Sequence, residues 1–133
     1  MSKALKRSSV VLAALILLAA CAHTPTAAEK AMGVAQKVDA VALEVMELAN
    51  QVIQKEITDT HLYNQAAKAY NDTLHVLKEY DRLVKIAEET GNTPPLEQAQ
   101  EVVKVVMDFI KTLGEMGVDV SKLKEKALSF YGG

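Results

Sequence analysis

Residues 34–53 read VAQKVDAVALEVMELANQVI, and this stretch decides the fold. Val34, Val38, Val41, Val45, Leu48 and Val52 recur at a 4-3-4-3-4 spacing, with Ala35, Ala42, Ala49 and Ile53 beside them. A half-buried strand would alternate every second residue. Apolar positions three and four apart, sustained over more than four turns, predict a helix with one buried face. Toward the N-terminus, Thr26 and Glu29 have the spacing of a capping box, in which each side chain satisfies an otherwise orphaned backbone N–H. The first helix is therefore expected from Ala27 to about Glu56.

Toward the C-terminus, Ile57-Thr58-Asp59-Thr60 interrupts the pattern and supplies N-cap candidates. A continuous, kinked helix also fits this break. The second helix is predicted to run to about Thr90, with Gly91-Asn92 as its stop. Its stripe is Leu62, Ala66, Ala69, Thr73, Val76, Tyr80, Leu83 and Ala87, thickened by Tyr70, Leu74, Leu77 and Val84. Pro94-Pro95 suits a helix start, since proline at the first position loses only an N–H that would be orphaned anyway. The third helix carries Leu96, Ala99, Val103, Val106, Ile110 and Leu113. Its centre, VVKVV at 102–106, also reads as a strand, but the helical period around it is longer. Gly114 and Gly117 loosen its end. Asp119 then opens a short fourth helix to about Tyr131, with Val118 placed to pack on Leu123 as a hydrophobic staple.

Three long helices with short connections, plus one short C-terminal helix, predict an all-α, antiparallel bundle. Helices of about 30 residues are ~45 Å long, so the expected bundle is elongated. A core of Ala, Val and Leu permits close helix approach. The regular heptads leave a second arrangement open, in which part of the stripe closes against another copy.

Residues 1–20 contrast with all of this. Lys3, Lys6 and Arg7 precede an uninterrupted apolar run, VVLAALILLAA at 10–20, which ends through Cys21 and Ala22 at His23-Thr24-Pro25. Thirteen apolar residues rise only ~20 Å as a helix, too short for a hydrocarbon core ~30 Å thick. A basic flank, an apolar run and a small-residue site in that order form a secretory signal pattern. The segment Leu18-Ala19-Ala20-Cys21 resembles the lipobox of bacterial lipoprotein precursors. The resemblance covers residues 1–21 alone. It implies that Leu18, Ala19 and Ala20 are read by a dedicated signal peptidase and that Cys21 carries a diacylglyceryl thioether, commonly with a third acyl chain on the new amine. Two or more chains give stable attachment to a bilayer. In enterobacterial lipoproteins an aspartate after the cysteine generally retains the protein in the inner membrane. Ala22 at that position implies the periplasmic face of the outer membrane, or the plasma-membrane surface if the source is Gram-positive. The expected division is residues 1–20 as signal peptide, 21–26 as lipidated cysteine and tether, and 27–131 as helical bundle. A five-residue tether, Ala22 to Thr26, spans at most ~18 Å, which would keep the bundle close to the headgroups.

Charge and residue inventory exclude several functions. The 133 residues carry 15 basic and 17 acidic side chains, and loss of residues 1–20 would shift the net charge from −2 to −5. Such a chain has no means of neutralising a nucleic-acid backbone. One cysteine leaves no disulfide framework. Past Cys21 the only serines are Ser121 and Ser129, neither in a nucleophile turn, and no glycine-rich phosphate loop occurs. Asp72, His75 and Glu79 share one helical surface and faintly resemble the carboxylate–histidine element of di-iron bundles. A second such element is missing, so no metal, cofactor, small-molecule substrate or catalysis is expected.

Tyr63 and Tyr70, seven residues apart, lie on one face of the second helix. They read either as amphipathic core-edge residues or as a binding surface, where tyrosine is enriched. The expected role is that of a membrane-anchored protein acting through an envelope partner or self-association. Two alternatives stay open: an inhibitor lipoprotein of the phage superinfection-exclusion or immunity type, and a metal-binding helical bundle.

Overall fold

The computed structural model describes residues 26–132, and the chain divides into two compact units, Met1–Lys30 and Ala31–Gly133. Leu18, Ala19, Ala20 and Cys21, with the signal peptide and most of the tether, lie outside the described residues. Four α-helices follow in order: α1 (Ala27–Glu56), α2 (Thr60–Thr90), α3 (Leu96–Glu115) and α4 (Ser121–Ala127), the last continuing into one 3-10 turn, Leu128–Phe130. The described residues contain no strand, and VVKVV lies inside α3.

In the first unit, what is described is the opening turn of α1. Thr26 N–H donates to Glu29 Oε1 at 2.9 Å and Glu29 N–H donates to Thr26 Oγ1 at 3.1 Å, the reciprocal pair of a capping box.

In the second unit, each boundary has a local cause. Asp59 caps α2, its Oδ2 accepting from Leu62 N–H at 2.9 Å. Gly91 ends that helix in the left-handed region, at φ 80°, and its N–H returns to the Ala87 carbonyl. Pro95 precedes α3 rather than opening it. Gly117, at φ 89°, turns the chain out of α3. The Asp119 carboxylate accepts from the backbone and hydroxyl of Ser121, and Val120 takes the N-cap position without a side-chain cap.

Helices α1, α2, α3 and α4 of this unit share one apolar core. Its centre differs from the stripe predicted on α1. The small flanking residues Ala35, Ala42 and Ala49 are buried with Val38, Val41, Val45, Met46 and Ile53, whereas Leu48 and Val52 are half-buried and Val34 is 42% exposed. In α2 the centre likewise passes through Leu77 and Val84 rather than Val76 and Leu83. In α3 Val102 and Phe109 join Val106, Ile110 and Leu113, while Leu96 is 56% exposed. Alanine, the smallest of these side chains, is enclosed along this line, and larger side chains such as Val45, Met46 and Ile53 fill the space beside it.

Side-chain contacts tie the elements at separate levels. Gln36 donates to Glu88 Oε2 at 2.8 Å, and Gln54 donates to the Tyr63 hydroxyl at 2.6 Å. Asp119 N–H donates to Glu56 Oε1 at 3.1 Å, Lys126 pairs with Glu44 at 3.3 Å, and Lys37 donates to the Gly132 carbonyl. The segment after α3 therefore passes back along α1, from Glu56 toward Lys37.

Candidate functional site

Tyr63 and Tyr70 are both half-buried, and the structure separates their surroundings. Tyr63 packs against the core edge and accepts its hydrogen bond from Gln54 of α1. Tyr70 turns toward α3, where its ring meets Phe109 edge-on with centroids 6.2 Å apart at 63°. Burial, and after it the charge of Glu47, push the Tyr70 phenol above its ordinary value. Part of each ring is spent on contacts within the chain.

The helical surface around His75 also differs from a ligand cluster. Asp72 Oδ2 holds Lys68 Nζ at 3.0 Å and Glu79 is engaged by Arg82, while His75 is exposed. The hydrogen bond from Arg82 is the main cause that holds the Glu79 carboxyl below its ordinary range. Among the described residues there is no group of three or more His, Cys, Asp or Glu placed to hold a metal.

Two features that the sequence pattern did not single out are more distinctive. The first is a groove of about 500 Å³ between α1, α3 and the C-terminal segment. Val38, Ala99, Val103, Met107 and Phe130 form its apolar bed, and Gln100, Lys104 and Asp108 provide polar lining. Val34, Leu96 and Tyr131, at 42, 56 and 69% exposure, all line this one groove. Grouped exposed apolar side chains distinguish an interaction surface from scattered ones, which are common on any protein. Val34 and Leu96 belong to the predicted core stripes, and only the arrangement of three elements brings them together with Tyr131.

The second feature is a carboxyl pair across α1 and α2. Asp39, on the ridge Ala35–Asp39–Ala42–Met46, is 8% exposed and is the one buried acid among the described residues. Across from it on α2, Asp81 Oδ1 accepts from Lys85 Nζ at 3.2 Å. Burial first, then the Asp81 hydrogen bond, raise the Asp39 carboxyl from 3.8 to about 7. The same hydrogen bond is the chief cause that lowers Asp81. Next to them Tyr80 is buried, with its hydroxyl unpartnered, and burial and the charge of Asp39 push its phenol up to about 12. A sequence signal for Asp39 existed, because it is an acid set between Ala35 and Ala42 on the flank of the apolar stripe. Its partner could not be read without the pairing of the two helices.

No described helix is long and apolar enough to cross a membrane. Comparison of the chain with protein-family models, with curated proteins and with solved structures finds no match.

Proposed function

We propose that this chain is a lipid-anchored envelope protein that works through protein contacts and without catalysis of its own. The observation that carries the reading is Leu18-Ala19-Ala20-Cys21 directly behind the basic flank and apolar run. Cys21 bears the lipid, and the helical domain lies at the periplasmic face of the outer membrane, or on the plasma-membrane surface of a Gram-positive cell. The domain is an elongated antiparallel bundle. In support, contacts between α1 and α2 join Gln54 to Tyr63 near one connection and Gln36 to Glu88 far from it. The protein-contact role is supported by the gathering of Val34, Leu96 and Tyr131 along one groove. The exposed portions of Tyr63 and Tyr70 offer a second, smaller surface.

Labelling cells with an alkyne analogue of palmitate tests the anchor. The wild type is expected to incorporate label and to fractionate with membranes, and Cys21→Ser to do neither. Equal labelling of the two would overturn the reading. For the contact role, crosslinking at Leu96 and Tyr131 should trap a specific envelope protein or a second copy. A monomer that traps nothing at these positions would count against it.

A further inference from the structure

We propose that the outer face of α3 is an interface with a second copy of this chain, packed about a two-fold axis that sets Lys104 of each copy against Asp108 of the other. The inference rests on the protein-contact role proposed for the groove and names its partner.

The apolar groove at Val34, Leu96 and Tyr131 does not stop partway along α3. Met107 and Asp108 also line a second groove, of about 820 Å³, which runs past Gly114 to Val118 and Val120. Together the two follow α3 from Leu96 to Gly114, about 27 Å at 1.5 Å per residue. Leu96, Gln100, Val103, Met107 and Gly114 recur along this face at helical spacing, beside the buried stripe of Ala99, Val102, Val106, Ile110 and Leu113. One apolar side of α3 is closed by the core and the adjacent side is open. Of the five large apolar side chains exposed among the described residues, three line the first groove, so the exposure is concentrated here.

Charge selects the occupant. The two grooves carry three bases, Lys104, Lys111 and Lys124, and three acids, Asp108, Glu115 and Asp119. The face is balanced on a chain that is acidic overall. A strongly basic or acidic partner gains little from it, whereas two acidic copies meet there with least repulsion. The order of the charges also suits self-pairing. Lys104 and Asp108 stand 3.4 Å apart, and their side chains are 69 and 65% exposed. In an isologous contact, whatever residue i meets, that residue meets i in return. Antiparallel α3 helices centred at the level of Val106 therefore bring each Lys104 to Asp108 of the other copy. The four charges then alternate in sign, because a lysine ammonium has three donors and can hold its own carboxylate and the opposing one. Glu97 and Glu101 line neither groove, so α3 adds no further acid to the seam.

The same axis matches shapes. Leu96 lies ten residues from the centre, which sets it at the level of Met116 on the other copy. There the second groove is lined by Gly114, which has no side chain, and by Val118. Each copy thus offers an exposed leucine at one end of α3 and a recess at the other.

Two differently tagged full chains, co-expressed in cells, read self-association by co-purification. Wild-type copies are expected to recover each other. Lys104→Asp gathers four acids at the axis and Asp108→Lys four bases, so either variant paired with itself should recover about tenfold less. Both side chains are largely exposed, so the fold is retained. Lys104→Asp co-expressed with Asp108→Lys restores alternating signs between copies, and recovery should return to the wild-type level. A salt bridge confined to one chain, or a bridging third protein, does not produce that rescue. Wild-type copies that fail to co-purify overturn the inference, as does equal recovery in all combinations or a mixed pair no better than the single variants. An envelope protein crosslinked at Leu96 in the absence of self-association would leave the protein-contact role standing while this inference fails.

Discussion

Truncating Leu123 to alanine tests how the C-terminal segment is held. Helix α4 has seven residues, well short of the length at which a helix persists alone in water. What fixes it is burial. Leu123 is fully buried (0% exposed), and Val118, Val120, Ala127 and Phe130 enter the same core around it. The polar ties, Asp119 to Glu56 and Lys126 to Glu44, are solvent-exposed and worth at most about 1 kcal/mol each. Leucine-to-alanine changes in well-packed cores cost roughly 3–5 kcal/mol, depending on how far the site collapses. Leu123 lies on a terminal element that can shift inward, so the lower end, about 3 kcal/mol, applies. For a domain of this size that lowers the melting temperature by roughly 12 °C. Urea unfolding followed by circular dichroism measures the loss. Hydrogen exchange should show protection falling first at residues 121–130, because α4 has no second large side chain in the core. A loss below ~1 kcal/mol, or unchanged protection of that segment, would refute the claim that burial of Leu123 holds it.

Other perturbations address different features. Asp59→Ala removes the cap on α2 and should cost about 1 kcal/mol in chemical denaturation, whereas Asp59→Asn should restore most of it. Ala49→Leu forces extra volume into a position with no exposure and is expected to destabilise by ~1–3 kcal/mol despite added apolar area; a gain in stability would show that the α1 seam is loose. Gly91→Ala places a side chain at φ 80° and should cost about 1 kcal/mol, although open space surrounds the site. Lys68→Ala removes an exposed pair with Asp72 and should change stability by less than ~0.5 kcal/mol, read by the same denaturation curves.

Helix positions and several of their ends were legible because their causes are local, whereas the starts of α3 and α4 each fall one residue or more from the predicted position. The 4-3 spacing from Val34 to Val52, the Thr26–Glu29 box, the Asp59 cap and the Gly91 stop each act within a turn or two of chain. Less of the packing was legible. A stripe of valines says that one side of α1 is buried. It does not say that Ala35, Ala42 and Ala49 are buried while Val34 is 42% exposed.

The sequence by itself determined an all-helical domain and its breaks, because periodicity and capping are properties of consecutive residues. Only the tertiary structure decided that Asp39 is buried, that Tyr63 and Tyr70 turn to different neighbours, and that Val34, Leu96 and Tyr131 line one groove. Those arrangements depend on how far each helix is rotated about its axis and how it slides along its partner. That choice is set by the fit of side chains contributed from segments tens of residues apart.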